Sequence, residues 1–189
     1  MGTQSMVTSH HQADLTLARQ CMKGKGSAQR DLYEAYKVGM YGLCMRYMKH
    51  AEEAEDVLQE GFIKVFEQLK QYKGEGPLGG WIRRVMVNTC LMKLRSQRRL
   101  VFPETSLEYL AEQEHPEQDL LAGDRAEAVI RLIRELPDGY QTVFNMYAIE
   151  GYAHHEIAKK LGLAEGTVRS QYVRAKAALK KVLERQMME

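Results

Sequence analysis

Five residues near the end of the chain, Thr167, Arg169, Ser170, Val173 and Arg174, are spaced to share the outward side of one helix. Val168, Tyr172, Ala175, Leu179 and Val182 recur at i, i+4, i+7, i+11 and i+14 and claim the buried side. Arginines and hydroxyls grouped at the start of such a helix can bond phosphate oxygens or base edges, helped by the helix N-terminus. Upstream, Tyr152 to Leu163 reads as a shorter helix closed by Gly162. Ile157, Ala158, Leu161, Leu163 and Val168 supply a small apolar core between two crossing helices. This is the layout of a helix-turn-helix, whose second helix enters the DNA major groove. The plain alternative is an ordinary helical hairpin.

Two enzyme motifs nearly match and both fail. Gly74-Glu75-Gly76-Pro77-Leu78-Gly79 has the letters of a dinucleotide loop, but a helix pattern precedes it and no strand follows. His155-Glu156-Ile157-Ala158 opens like a zinc-protease helix, yet Lys159 stands where the second histidine must be. No set of nucleophile and base emerges, no paired CxxC exists, and no metal or other cofactor is expected. The chain does not read as an enzyme.

The 189 residues are 44% hydrophobic with a net charge of only +2, so the distribution of charge says more than its sum. Trp81 to Arg99 holds Arg83, Arg84, Lys93, Arg95, Arg98 and Arg99 without an acid. Leu100 to Asp124 inverts this, with seven acids and no lysine or arginine. Basic residues return from Lys159 to Lys181, opposed only by Glu165. Two basic helical blocks around an acidic tract predict two nucleic-acid-facing modules and a linker that avoids nucleic acid. Cys21, Cys44 and Cys90 are odd in number and set in helical patterns, which predicts reduced, mostly buried thiols. No run resembles a signal peptide or a membrane span, so the expectation is a soluble, cytoplasmic protein.

Helical periodicity dominates, and the expected fold class is all-α. Helices are predicted over about 13–23, 28–49, 51–69 and 81–99, then 124–136 and 140–149, then the helix-turn-helix pair. In the third, Leu58, Phe62, Val65 and Leu69 form a core stripe, and Asp56, Gln59, Glu60 and Lys64 lie opposite. On the residues alone, that acidic face is a solvated surface or a protein contact. The helix from Trp81, with Asn88 and Thr89 at its centre, is either a basic solvated face or a cradle for a splayed single strand. The division is a helical domain over 12–99, an acidic linker over 100–124 and a helix-turn-helix domain over 125–189.

At this point three blocks resemble a family. Glu53 to Ile63 (EAEDVLQEGFI) is similar to the signature of region 2 in bacterial sigma factors. Gly80-Trp81-Ile82-Arg83-Arg84-Val85, with Asn88 and Arg95, resembles a second helix of that region, and Leu136 to Ser170 resembles region 4. Regions 2 and 4 in this order, without region 3, resemble the extracytoplasmic-function sigma factors. The resemblance implies a helical bundle and a helix-turn-helix domain that bind core RNA polymerase and promoter DNA.

It also implies roles. Asp56, Gln59 and Glu60 match positions that dock on the clamp helices of the polymerase β′ subunit; the second domain would meet the β flap. The loop Lys73 to Gly80, with Trp81, Arg84, Asn88 and Arg95, matches the part that captures an extruded base of the −10 element and promotes melting. Arg169, Ser170, Val173 and Arg174 match −35 contacts, with Gly166 and Thr167 near the DNA backbone. The linker matches the segment that threads the RNA path. An anti-sigma partner is implied, able to hold the factor at the inner membrane; no small-molecule substrate is implied, and the free form is expected to be a monomer. The competing reading is a helix-turn-helix repressor or activator that works without polymerase. Three positions depart from the pattern: Leu78 replaces a customary phenylalanine in the −10 loop, and Ala153 and Ala164 stand where serine N-caps are common. The first puts base capture in question; Ala153 is expected to leave Glu156 without its capping-box partner.

Overall fold

In the computed structural model, backbone is described for residues 2–97, 99–100 and 125–186, and side chains for 12–97, 99–100, 130–181 and 184. Every regular element among these residues is helical. Of the linker expected over 100–124, all but Leu100 lies outside the described residues. The chain forms two compact units, one running up to Lys93 and the other from Leu94 onward.

The first unit contains α1 (Gly2–Met22), α2 (Gly26–Tyr47), α3 (Ala51–Gln68), a 3-10 turn (Leu69–Gln71) and most of α4 (Leu78–Ser96). α1 begins at Gly2 rather than near Ala13, because Met6 and Val7 alone are too few apolar residues over 2–12 to give a periodic signal. α2 ends where Met48 turns extended. α3 follows the expected amphipathic pattern, with Glu52 and Glu53 in its first turn against the positive end of the helix dipole. Its stripe of Leu58, Phe62, Val65 and Leu69 is buried, and the Phe62 ring meets Tyr33 of α2 edge-on at 4.7 Å. α4 starts at Leu78, three positions before the expected Trp81, because the Pro77 carbonyl accepts the N–H groups of Gly80 and Trp81 and opens the helix there. It ends at Ser96, where the Arg99 N–H turns back to the Leu94 carbonyl at 3.0 Å. Ile82, Met86, Val87, Cys90 and Leu94 are its core residues.

The second unit holds α5 (Arg125–Glu135), α6 (Asp138–Phe144), α7 (His154–Leu161) and α8 (Glu165–Gln186). The helix expected to run to Ile149 instead passes into a π turn over Asn145–Ile149, with the Glu150 N–H bonded to the Asn145 carbonyl at 2.9 Å. The extra residue in this turn brings both Phe144 and Tyr147 against Tyr172 of α8, at ring centroids of 6.0 and 4.5 Å. Hydrophobic spacing does not reveal such a turn. Leu136 and Tyr140 pack on Ala175 and Ala178 of α8, with Phe144 and Leu179 beside them. The buried face of α8 therefore includes Gln171 and Ala178 besides the expected Val168 and Ala175; Tyr172 and Leu179 are half-buried, and the Val182 side chain lies outside the described residues.

α3 and α4 meet where the Met86 side chain lies over Gly61. A Cβ on Gly61 would stand only 2.2 Å from Met86 Sδ, and Met86 is itself fully buried. The missing side chain at Gly61 leaves room for the Met86 thioether. Gly61→Leu is therefore expected to destabilise the protein by roughly 1–3 kcal/mol through overpacking, measured as a lower midpoint in urea unfolding. An unchanged midpoint would show that α3 and α4 do not rely on this contact.

Candidate nucleic-acid and protein interfaces

On α3, Asp56, Gln59 and Glu60 share one exposed side at i, i+3 and i+4. Glu60 accepts from Lys64 Nζ at 2.6 Å, an exposed helical pair. The same side carries Ile63, 58% exposed, four residues beyond Gln59. Lys64 Nζ also lies 3.8 Å from Met92 Sδ, and Met92 of α4 is 54% exposed. The acidic face is thus mixed with apolar side chains, a composition suited to a protein partner. Ile63 was not expected on this face, although it lies one turn beyond Gln59; Met92 comes to it through the packing of α4 on α3.

On α4, Trp81, Arg84, Asn88 and Arg95 fall along one side of the helix, the last three exposed. Trp81 is half-buried, with its ring 5.9 Å from Tyr72. Thr89, read beside Asn88 as a polar centre, is buried and spends its hydroxyl on the Val85 carbonyl at 2.9 Å. Asn88 alone of that pair reaches the surface.

The loop before α4 is tied down more than its glycines suggest. Lys73 is exposed, but Leu78 is wholly buried, so its departure from phenylalanine changes core packing and not the outer wall of the loop. The Leu78 N–H donates to Asp14 Oδ2 of α1 at 3.1 Å, and the Tyr36 hydroxyl of α2 donates to Asp14 Oδ1 at 3.4 Å. Tyr72 donates to the Gly76 carbonyl at 2.6 Å. Burial, reinforced by the Asp14 carboxylate, pushes Tyr36 up to about 12 and raises Tyr72 as well. Both hydroxyls therefore stay protonated donors at neutral pH. Asp14 was missed in the sequence because its partner lies 64 positions away and nothing local marks it.

In the second unit, α7 turns into α8 at Gly162, which adopts φ +71° and donates its N–H to the Ala158 carbonyl. The Leu163 N–H returns to the same carbonyl at 3.0 Å. Ala153 has no side-chain acceptor for the first turn of α7, as expected. Glu156 nevertheless keeps its half of the capping arrangement, with Oε2 accepting the Ala153 N–H at 2.8 Å. The expectation that Glu156 would lose its partner is corrected on that point: the bond runs to backbone and needs no serine. At Ala164 the carbonyl accepts from the Val168 N–H at 3.2 Å, and no side-chain cap is added.

At the start of α8, Gly166, Arg169, Ser170 and Val173 are exposed, while Thr167 and Arg174 are half-buried. Arg169 pairs with Glu165 at 2.6 Å, and the Ser170 hydroxyl donates to the Thr167 carbonyl at 2.9 Å. A Cβ on Gly166 would meet nothing within 4 Å, so the protein's own packing does not require glycine there. Val173 is 64% exposed.

The three cysteines are buried thiols outside any disulfide, and burial, aided by Asp31, raises the Cys21 thiol. Among the described residues, no group of three or more His, Cys, Asp or Glu is placed to hold a metal ion. None of the described helices is long and apolar enough to cross a membrane.

Two family models match the chain: sigma-70 region 2 over residues 32–100 and sigma-70 region 4 over 126–179. Among curated proteins, the chain is 29% identical over 181 residues to the RNA polymerase sigma-H factor of Pseudomonas aeruginosa, covering 90% of this chain and 94% of that one. It is 26% identical over 175 residues to the ECF RNA polymerase sigma factor SigW of Bacillus subtilis, covering 87% and 94%. Among solved structures, it is similar in fold to the sigma factor RpoE of Bartonella quintana, crystallised with the anti-sigma factor NepR. There the TM-score is 0.52 and the identity 18%, over 82% of this chain and 98% of that one.

Two measurements check the site geometry. Ala153→Ser supplies the missing side-chain acceptor and is expected to raise the stability of the second unit by about 1 kcal/mol, seen as a higher thermal midpoint; no rise would mean α7 has no use for the cap. Because Tyr36 titrates above its ordinary value of 10.0, its stabilising share is complete below pH 10 and is lost as pH climbs towards 12. Tyr36→Phe should flatten the alkaline fall in unfolding free energy, leaving the shares of other raised groups such as Tyr72 and Cys21. An equally steep fall in the variant would remove Tyr36 as its source.

Proposed function

The chain belongs to the sigma-70 family of RNA polymerase sigma factors, in the extracytoplasmic-function arrangement of regions 2 and 4, and we propose on that premise that it directs core polymerase to promoters and assists strand opening. Factors of this family are initiation factors and not enzymes, in keeping with the failed enzyme motifs. The observation that carries the reading is the order of the two matched regions, with an exposed acidic face in the first and a helix-turn-helix in the second. A repressor acting without polymerase has no need for that face.

The assignment of surfaces follows from their chemistry. Asp56, Gln59 and Glu60, with Ile63 and Met92 beside them, dock on the β′ clamp helices. The domain over 12–99 also takes the −10 strand through Lys73, Trp81, Arg84, Asn88 and Arg95. The domain over 125–189 meets the β flap and reads −35 duplex. Its Arg169 is freed from Glu165 at small cost, since an exposed helical ion pair contributes only about 0.3–0.5 kcal/mol. Gly166, whose absent side chain serves no internal contact, lets a phosphodiester backbone approach. Thr167, Ser170 and Arg174 supply polar contacts, and Val173 supplies an apolar one suited to a thymine methyl. The linker over 100–124 follows the RNA path by its negative charge. We further infer that the factor works in the cytoplasm and is held inactive by an anti-sigma partner, one able to keep it at the inner membrane.

Run-off transcription with core polymerase on genomic fragments tests the whole reading. Promoter-specific transcripts should appear only when the protein is added; their absence from every template would overturn it. Asp56→Lys with Glu60→Lys should weaken core binding at least tenfold without lowering the thermal midpoint appreciably. Arg169→Ala should cost about 1–3 kcal/mol in −35 duplex binding, with core binding intact.

A further inference from the structure

The segment Gly74 to Gly80 contains four glycines in seven positions, a composition that by itself describes a pliable loop. In the folded unit it is held at four points. Asp14 Oδ2 accepts the Leu78 N–H, one of the donors that the first turn of α4 cannot satisfy internally. Leu15, the next residue of α1, lies against Gly74: a Cβ there would stand 2.7 Å from Leu15 Cδ2, and Gly74 has φ +78°. Tyr72 closes the loop onto the Gly76 carbonyl. Gly79 lies under Tyr36, where a Cβ would come within 2.9 Å of the ring, and Tyr36 is itself bonded to Asp14.

Asp14 thus joins three elements: α1, which carries it; α2, through Tyr36; and the first turn of α4, through Leu78. No other described side chain is bonded to the Leu78 N–H. Pro77, directly before it, has no hydroxyl or carboxylate with which to cap the helix. The residues left exposed by this fastening are Lys73, Glu75, Gly76 and Pro77 at the crest of the loop.

We propose that Asp14 is a positioning residue for −10 recognition: from α1 it fixes the start of α4 and so holds the loop Lys73 to Gly80 in one shape for the strand it receives. The inference rests on the reading that this loop takes the −10 strand. Asp14 touches no nucleic acid in this scheme; it acts by sparing the loop the ordering cost that a glycine-rich segment would otherwise meet on binding.

The test uses the full chain with core polymerase on a promoter found by the run-off assay. Strand opening is read as permanganate reactivity of −10 thymines, beside core affinity and −35 duplex affinity. Losing a hydrogen bond to a charged acceptor predicts about a tenfold fall in opening for Asp14→Ala, with both affinities at the parent level. Discrimination between the natural and a substituted −10 base should also narrow. Asp14→Asn keeps an oxygen that accepts the Leu78 N–H and should restore most of the opening. Gly76→Val serves as a direct loop variant, because φ +112° at Gly76 excludes a side chain while its Cβ would touch nothing.

If Gly76→Val impairs opening and Asp14→Ala does not, the positioning role is overturned and the −10 reading stands. If neither variant changes opening, the −10 reading itself fails. If Asp14→Ala lowers core affinity and thermal midpoint along with opening, or if Asp14→Asn is as defective as alanine, Asp14 is a general structural residue and the proposal is wrong.

Discussion

In the first unit the buried Met86 side chain of α4 packs over Gly61 of α3, a fit that any larger residue at position 61 would disturb. With no Cβ on Gly61, the buried Met86 side chain lies directly on the α3 backbone. Gly61 and Met86 mark the sides on which the two helices meet. α3 then turns Leu58, Phe62 and Val65 inward and Asp56, Gln59 and Glu60 outward. α4 buries Ile82, Met86 and Cys90 and leaves Arg84 and Asn88 exposed. An exposed acidic side and an exposed basic side are therefore two outer sides of one packed pair. Met92 joins the acidic surface for the same reason.

The second unit solves a different problem with little core. α7 is only eight residues long, too short to persist without tertiary support. Its support comes from Ile157 and Ala158 beneath it, from the left-handed Gly162, and from His154 stacked on Tyr147 at 4.2 Å. Tyr147 in turn meets Tyr172 of α8, so the aromatic side chains tie the π turn, α7 and α8 together. The exposed start of α8 is held in place by this packing, while Arg169 and Ser170 are engaged in exposed helical contacts. Such contacts are cheap to exchange, which favours the phosphate and base contacts proposed for this surface.

Much of this was legible along the chain. The amphipathic stripe of α3 was visible because its apolar residues recur at the helical period, and the helix-turn-helix because Gly162 interrupts two such periods. The near-miss enzyme motifs could be dismissed on chemistry, since a lysine cannot replace a zinc-binding histidine. Less legible were features that residue type and spacing do not mark. Leu78 looked like a loop residue and is a core residue. Thr89 looked available and is committed to Val85. The π turn after Phe144 leaves no mark in hydrophobic spacing, and Asp14 sits in a helix whose polar start gives no hint of a target. Glu156 was read as a residue in need of a serine, though its carboxylate needed only a backbone N–H.

The sequence by itself determined that the protein is helical, that its charge is divided into basic, acidic and basic blocks, and which side of α3 and of α8 faces outward. These properties follow from residue type and a period of 3.6, both local. Only the tertiary structure decided which glycines are required by contact, which polar side chains remain at the surface, and that a carboxylate on α1 caps α4. Those depend on approach between segments far apart in the chain, where distances of a few tenths of an ångström separate a hydrogen bond or a permitted Cβ from a clash.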